Sequence, residues 1–349
     1  SCECGSDCYD NWTINGKDFD NAGTGGSTET PVEAILTYTT AAVDGGVEIT
    51  GVSGSFSKVD SAEITVTVPS EINGQKVVGI ADPTGYNSGV FDNIFVGMYN
   101  GKLKEFTVVL PDGLKYIGNK AFGTNRGLVS VNLPASLERI GDEAFSLCSN
   151  LTGITLPEGL KTLGKGAFAK CTSLTAANIP ASVSTPMPDS KTDFAFAMCS
   201  GITDFTVAAD NEQYKSIDGV VYTKDGKTLV SYPLGNSRTS FDIPDGVETV
   251  ANGAFALISG KTSPLNNISF PLTLKTVENR AFKDLTLESV TVGFGIEWGS
   301  YGFDLAKIRN ITVAEGVTEI PEGFFNGVTG VESVSLPSTL KKIGYRAFD

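Results

Sequence analysis

Residues 128–150 read LVSVNLPASLERIGDEAFSLCSN, and residues 151–173 read LTGITLPEGLKTLGKGAFAKCTS. The second segment repeats the first at a spacing of 23 residues, so that Pro134 corresponds to Pro157 and Phe145 to Phe168. A fixed period of this length is typical of a solenoid, in which each unit buries its apolar side against its neighbours. The repeat therefore predicts a long array of stacked coils instead of two or three ordinary domains.

The proline of this repeat marks eleven units when the whole chain is aligned on it. The positions three and one residues before the marker are apolar in every unit, as in Val131 and Leu133. Alternation of this kind before a proline predicts a short strand, and such strands should stack in parallel into one sheet. The eleven markers are Pro69, Pro111, Pro134, Pro157, Pro180, Ala208, Pro244, Pro271, Gly293, Ala314 and Pro337.

A second apolar pair follows each marker, and then a phenylalanine that recurs along the array. The pair is often followed by glycine, as in Gly141 and Gly164, which we expect to turn the chain. The phenylalanines should form a stacked spine that carries much of the core. They are Phe122, Phe145, Phe168, Phe196, Phe255, Phe282, Phe303, Phe325 and Phe348. Three of them are followed three residues later by Cys148, Cys171 and Cys199, which we expect to be reduced and packed as small hydrophobes.

The pattern divides the chain into three parts. Residues 1–30 are rich in Gly, Asn, Asp, Ser and Thr and should be a flexible tether. Residues 31–61 alternate around Asp44-Gly45-Gly46, which predicts an N-terminal β cap. The repeats occupy 62–349, with a β-hairpin insertion at 210–238 that turns at Asp225-Gly226 and should project from the edge.

Composition narrows the possible partners and activities. The chain of 349 residues has 40 acidic and 26 basic residues and a net charge of −14, which disfavours binding to nucleic acid or anionic lipid. It has no histidine, so the commonest general base and metal ligand is missing. Ser-x-x-Lys matches at Ser55 and Ser338 have no partner motifs. We therefore expect no catalytic residues, no metal and no cofactor.

The first residues suggest an anchor. Ser1-Cys2 resembles the end of a bacterial lipobox, which makes Cys2 a candidate lipid anchor, although an arbitrary boundary would look the same. Cys4 and Cys8 could form a local disulfide in an oxidising compartment, or three nearby thiols could bind a metal, and a simple cysteine-bearing tether is favoured.

The repeated unit, L-x-x-I-x-L-P-x-x-L-x-x-I-G-x-x-A-F-x-x-C, resembles the BspA-type leucine-rich repeat of bacterial surface proteins over residues 62 to 349. The resemblance implies a leucine-rich-repeat solenoid, mainly β with irregular turns. It would have about eleven coils with a parallel sheet, an N-terminal β-hairpin cap and one inserted β-hairpin. It also implies a secreted or cell-surface protein, often lipid-anchored, that adheres to host matrix proteins or other cells. The expected location is extracellular or at the cell surface, as an outer-membrane lipoprotein.

Solvent-facing strand positions are the candidate binding face, because solenoids usually bind through their sheet. The residues at these positions are small and polar. Binding hot spots favour large aromatic residues and arginine, and the position five residues before the marker offers only Phe106 and Arg309 of this kind. Ser and Thr also simply suit solvated strands. The candidate residues are Asn132, Thr155, Asn178, Thr206, Asp242, Ser269, Thr291 and Thr312.

Two functions of different classes follow. The first is a non-catalytic cell-surface adhesion module that recognises a protein partner on a host or neighbouring cell. The alternative is a glycan-capturing surface lipoprotein, in which Tyr222, Tyr232 and Trp298 on loops would stack on sugars. In either case the membrane would be contacted only through a lipid anchor.

The final unit stops at Phe348-Asp349, part-way through a repeat, which leaves an apolar edge. We expect either that the chain continues beyond Asp349 or that this end packs against a second copy.

Overall fold

A computed structural model of the chain describes residues 34–56, 63–85, 89–91, 105–189, 191–293, 297–298, 303 and 306–349. The predicted tether and Cys2, Cys4 and Cys8 lie outside these residues. The secondary structure of the described part consists of strands and turns, and it contains no helix long and apolar enough to cross a bilayer. The chain forms two compact units, Ser1–Cys171 with Ser182–Ser184, and Thr172–Ala181 with Thr185–Asp349.

The described residues of the first unit form ten strands. They are β1 (Ala34–Val43), β2 (Gly46–Phe56), β3 (Glu63–Thr67), β4 (Glu71–Ile72), β5 (Gln75–Ile80), β6 (Glu105–Val109), β7 (Tyr116–Ile117), β8 (Leu128–Val131), β9 (Arg139–Ile140) and β10 (Thr162–Leu163).

Where the structure describes it, the second unit has fifteen strands. They are β11 (Ala176–Ile179), β12 (Asp204–Val207), β13 (Tyr214–Ile217), β14 (Val220–Thr223), β15 (Thr228–Ser231), β16 (Ser240–Asp242), β17 (Thr249–Val250), β18 (Asn267–Ser269), β19 (Thr276–Val277), β20 (Thr286–Val292), β21 (Glu297–Trp298), β22 (Lys307–Val313), β23 (Glu319–Ile320), β24 (Ser333–Ser335) and β25 (Lys342–Ile343).

Two parallel ladders run through the first unit. The marker strands pair in the order β3-β6-β8, as predicted from the alternation before each proline. A second ladder, β2-β5-β7-β9-β10, is built from the second apolar pair, as in Ile117 paired with Ile140. The strands of this second ladder are only two residues long at β7, β9 and β10. The sequence pattern predicted no strand at these residues, because a two-residue strand is too short to show alternation.

The same two ladders recur in the second unit. Marker strands form the two-stranded sheet β11-β12 and the five-stranded sheet β16-β18-β20-β22-β24. Short strands after the markers form β15-β17-β19-β21, which continues the hairpin strands β13 and β14, and the separate pair β23-β25. The described marker strands therefore form several sheets, where the sequence had predicted one.

Two local causes account for the interruptions. Residues 151–156 carry no strand although their pattern matches the repeat, and Gly153 lies in their middle, where glycine weakens a strand. In the second unit, the outer edge of β12 is occupied by the inserted hairpin. Phe205 N donates to Gly219 O at 3.1 Å, and Val207 N donates to the Ser216 hydroxyl at 3.0 Å.

The inserted hairpin turns at Asp225-Gly226, as predicted, but it does not project from the edge. It has a second turn at Asp218-Gly219, and β15 pairs in parallel with β17. Arg238 also holds it, donating to Asp218 O at 2.8 Å and lying over the ring of Tyr232 at 5.4 Å. The hairpin is thus part of the core of the second unit.

Strands β1 and β2 form an antiparallel hairpin around the Asp44-Gly45 turn, where the sequence had placed one. Strand β2 also pairs in parallel with β5, so that β1 is the edge of this sheet. The domain boundaries themselves stay a prediction.

The predicted aromatic spine is present in both units. In the first unit Phe91, Phe122, Phe145 and Phe168 stack in order, with ring centroids 4.8, 5.2 and 5.1 Å apart. In the second unit the stacked rings are Tyr232, Phe255, Phe282, Phe303, Phe325 and Phe348. Phe196 departs from the pattern, because it meets Phe194 and Phe205 edge-on.

The cysteines beside the spine are buried thiols, as expected. Cys148 donates its S–H to Phe122 O at 3.2 Å, and Cys171 donates to Phe145 O at the same distance. These bonds join each coil to the preceding one.

The repeated glycine serves close packing and not a turn. A Cβ added to Gly141 would lie 2.5 Å from Asn119 N, and one added to Gly164 would lie 2.4 Å from Asp142 N. The left-handed turn is made two residues later, at Glu143 and Gly166, with φ of 54° and 55°. The expectation that this glycine turns the chain was therefore wrong, since the sequence does not show how closely successive coils approach.

Gly141→Ala should destabilise the first unit by about 1–3 kcal/mol, because the new methyl group would overlap the backbone of the preceding coil. Gly153→Ala is the matched control, since nothing lies within 4 Å of its added Cβ and its φ is ordinary. This control should be neutral or stabilising by up to about 1 kcal/mol. Urea midpoints of both variants test the prediction, and equal effects would contradict it.

Phe145→Ala should cost about 3–5 kcal/mol, because the ring is fully buried and stacked on both sides. Phe348→Ala makes the same change where the ring is 41% exposed and stacks on one described ring, that of Phe325. Its cost should be about 1 kcal/mol. Denaturant unfolding curves of the two variants test whether a buried ring stacked on both sides contributes more stability than a partly exposed ring at the end of the stack.

Candidate functional site

The solvent-facing residues of the five-stranded sheet form two rows across its strands. We call these rows together the polar face. Register places Asp242, Ser269, Thr291, Thr312 and Ser335 in one row. The other row alternates serine and asparagine: Ser240, Asn267, Ser289, Asn310 and Ser333. Nine of the ten residues are uncharged, so this face differs sharply from the acidic average of the chain.

Hydrogen bonds between neighbouring strands hold many of these side chains in place. Ser289 Oγ donates to Asn267 Oδ1 at 2.6 Å, and Ser333 Oγ donates to Asn310 Oδ1 at 2.7 Å. Ser269 Oγ donates in the same way to Asp242. Side chains fixed before a partner arrives lose less conformational entropy on binding. The polar face is therefore pre-organised.

The structure brings four of the eight predicted binding residues together. Asp242, Ser269, Thr291 and Thr312 lie in one row of the polar face. Asn178 and Thr206 are hydrogen-bonded to each other on β11 and β12.

The other two predicted binding residues lie in the first unit. Asn132 accepts from Leu110 N at 2.6 Å and donates to Leu110 O at 3.0 Å, which is a structural use of its amide. Thr155 is exposed, but it lies in the segment without a strand.

A cavity of about 480 Å³ lies where the strands of the five-stranded sheet begin. Strands β20 and β22 are seven residues long and their neighbours β18 and β24 are three, which leaves a step at this edge. The volume is in the range of small-molecule and side-chain pockets. The lining residues are Asn266, Asn267, Thr286, Leu287, Glu288, Lys307, Ile308, Arg309, Gly330 and Glu332.

Arg309 is the residue in this cavity whose type is enriched at binding hot spots. Its Nε lies 2.7 Å from Glu332 Oε2, and its Nη1 lies 3.5 Å from Glu288 Oε1. The hydrogen bond to Glu332 raises the pKa of Arg309 and holds its guanidinium in position. Phe106 holds the same repeat position as Arg309, but it is buried and cannot contribute to a surface site.

Charged side chains accompany the short strands of the second ladder, in contrast to the nearly uncharged polar face. Glu138 pairs with Lys161 at 2.6 Å, and Glu248 lies between Lys227 at 3.3 Å and Lys275 at 2.8 Å. Each of these residues directly precedes a strand of the second ladder. Opposite charges at the same position of successive coils favour the correct register.

Two of the three aromatic residues proposed to stack on sugars are not available at the surface. Tyr222 and Tyr232 are 3% and 2% exposed, and burial raises the pKa of Tyr222 to about 12. The side chain of Trp298 lies outside the described residues. The expectation of loop tyrosines was wrong, because the inserted hairpin is packed into the core.

The half-buried Glu278 in the second unit has a pKa shift opposite in direction to that of Glu248. Burial raises the pKa of Glu278, the nearby Asp189 carboxylate adds to this, and a 2.8 Å hydrogen bond from Asn252 N opposes it. In contrast, the hydrogen bonds from Lys275 and Lys227 lower the pKa of Glu248. Within the described residues, no group of three or more Cys, Asp or Glu side chains could hold a metal.

Glu278→Gln should stabilise the protein at neutral pH. A raised carboxyl pKa means that its favourable contribution is complete below the unfolded value of about 4.3 and is lost as pH rises through the folded pKa. Gln is neutral throughout, so the gain should appear at pH 7 and vanish at about pH 3.5. Glu248→Gln is the control of opposite sign, since its lowered pKa predicts a loss at pH 7 that also disappears in acid. Thermal melts at both pH values test this.

These features define a class of protein: stacked parallel β coils with an exposed polar face and charged ladders. The chain belongs to the BspA-type leucine-rich repeat family, whose model matches residues 93–218 and 234–349 in six copies. The predicted leucine-rich-repeat solenoid is thereby confirmed.

Solved structures agree on the fold. The pneumococcal vaccine antigen PcpA is similar at a TM-score of 0.55 and 19% identity, over 89% of this chain and 86% of that one. A leucine-rich repeat protein from Eubacterium ventriosum ATCC 27560 gives 0.56 and 16%, over 91% and 95%. One from Bacteroides ovatus ATCC 8483 gives 0.52 and 21%, over 92% and 80%. No curated protein matches the sequence significantly.

Proposed function

We propose that this chain is a non-catalytic cell-surface binding module that recognises a protein partner through the polar face and the adjoining cavity. The observation that carries the proposal is the pre-organised, nearly uncharged face next to a ligand-sized cavity that contains Arg309. Family membership supports a binding role, since solenoids offer extended surfaces to partners.

The chemistry of the face indicates how a partner would be held. Hydroxyl and amide groups can donate to and accept from a partner's backbone, and they contribute broad, weak contact. The cavity adds a site where one side chain of the partner could be enclosed beside Arg309, and enclosed arginines commonly dominate interface energies. Arg309 would contribute most of the binding free energy, and the polar face would provide most of the complementarity to the partner's surface.

The charge distribution also predicts how binding depends on ionic strength. Glu288, Lys307, Arg309 and Glu332 at the cavity sum to zero, and the polar face adds one carboxylate, Asp242. Screening by salt acts mainly on exposed, uncompensated charges. Binding through this surface should therefore change little with ionic strength.

Location at the cell surface is part of the proposal and rests on the family resemblance. Anchoring through a lipid on Cys2 remains an expectation, because Cys2 lies outside the described residues. A Cys2→Ser change in the precursor that leaves membrane retention unaltered would exclude lipidation.

The double variant Thr291→Arg/Thr312→Arg should weaken binding to the protein partner at least about tenfold, because it places two long charged side chains on the polar face. Thr249→Arg/Thr276→Arg is the matched control, since these threonines also face each other on adjacent parallel strands, β17 and β19, of the same unit. A panel of matrix proteins and a panel of polysaccharides, measured by biolayer interferometry, identifies the partner class.

Three outcomes would count against the proposal. Equal loss in both double variants would show that the polar face is not the site. Polysaccharide binding without any protein ligand would favour glycan capture instead. Affinity that falls steeply with salt would point to the charged ladders of the short strands.

A further inference from the structure

Arg309 lies in the middle of a row of alternating charge at the cavity. The register of β20, β22 and β24 places Glu288, Arg309 and Glu332 on successive rungs. The N–H bonds of a guanidinium lie in its plane, so the contacts to Glu332 at 2.7 Å and Glu288 at 3.5 Å hold Arg309 by its edge. Among the described residues, no aromatic ring lies over this guanidinium. Its faces are therefore left for another contact.

Two other arginines of the molecule show what such a face contacts. Arg139 binds both oxygens of a carboxylate at 3.1 and 3.2 Å, and its guanidinium lies 5.4 Å from the centre of the Tyr116 ring. Arg346 has its Nε 3.1 Å from Asp349 Oδ2 and lies over the ring of Tyr345, also at 5.4 Å. In both cases a carboxylate holds the edge of the guanidinium and a tyrosine covers its face.

The charges around Arg309 disfavour a charged group of a partner. A carboxylate that approached Arg309 would also lie close to Glu288 and Glu332, since successive rungs are only about 4.8 Å apart. An ammonium group would instead meet the like charges of Arg309 and Lys307. An uncharged aromatic ring avoids both repulsions, and its face attracts a cation.

The dimensions and the polar lining of the cavity suit a large side chain. Its volume is about 480 Å³, and a Cβ added to Gly330 in its wall would have nothing within 4 Å, so this side is open. The exposed side chains of Asn266, Thr286 and Lys307 also line it and can bond to a phenol or an indole N–H. Tyrosine and tryptophan combine a large apolar ring with such a polar group.

We infer that the cavity takes a tyrosine or tryptophan side chain of the protein partner, with its ring stacked on the guanidinium of Arg309. The inference rests on the proposed function and specifies the chemistry of the partner. It agrees with the weak dependence on ionic strength expected above, because the enclosed group carries no charge. Tyrosine, tryptophan and arginine are also the residues that dominate binding hot spots.

The test uses amino-acid derivatives as probes, so it does not require the partner to be known. N-acetyl-tyrosinamide, N-acetyl-tryptophanamide, N-acetyl-leucinamide, N-acetyl-aspartic α-amide and N-acetyl-lysinamide are titrated into the whole chain in the millimolar range. NMR of protein labelled with ¹⁵N-arginine follows the Nε–Hε signal of Arg309, and the backbone amide of Ile308 in the same cavity reports binding in variants. The signal of Arg346, which already lies over a ring, is the reference.

The variant Arg309→Lys keeps the charge and removes the planar group that stacks. Arg346→Lys is the matched control, since this arginine is also paired with a carboxylate but its face is already covered by Tyr345. We expect the two aromatic probes to bind most tightly and to shift the Arg309 Nε–Hε proton upfield. Arg309→Lys should weaken their binding about threefold or more, and Arg346→Lys should leave it unchanged.

Four results would overturn the inference. They are a stronger response to the aspartic or lysine probe, equal responses to all probes, no response of Arg309 to any probe, and aromatic binding that Arg309→Lys leaves unaltered. The proposed function fails separately, because it is tested on the polar face with Thr291→Arg/Thr312→Arg. A partner that depends on those threonines, together with a cavity that shows no aromatic preference, would remove only this inference.

Discussion

Contact between successive coils is the interaction on which the structure depends. Many strands are two residues long and cannot persist alone, so each coil is held by the next. The Ala-Phe pair of the repeat provides this contact in two ways, through ring stacking and through a backbone hydrogen bond. The Phe145 ring stacks on Phe168 at 5.1 Å, and Phe145 N donates to Ala167 O at 2.7 Å. The same backbone bond joins Phe122 to Ala144.

Interruptions of the array decide where a binding surface can form. Gly153 accompanies the loss of one marker strand, and the inserted hairpin satisfies the outer edge of β12 with Gly219 and Ser216. Among the described residues, the longest uninterrupted set of marker strands is consequently the five-stranded sheet of the second unit. The polar face and the cavity beside Arg309 occur there, because an extended surface requires consecutive strands in register.

The two ladders have separate roles because their outer residues differ in charge. Carboxylates and amines next to the short strands, such as Glu248 between Lys227 and Lys275, neutralise each other and favour correct register. Serine, threonine and asparagine on the marker strands leave hydrogen-bonding groups for a partner. A protein can thus carry a net charge of −14 and still offer a nearly neutral surface.

The sequence alone determined the repeat, all but one of the marker strands, most of the aromatic spine and the reduced cysteines, because each follows from periodic burial of apolar residues. Tertiary structure decided the rest. It showed that Gly141 serves close packing, that Tyr232 belongs to the spine, and that Arg309 lies in a cavity between two glutamates. These facts depend on distances between coils about 23 residues apart, and a linear pattern records which residues recur but not how closely their neighbours approach.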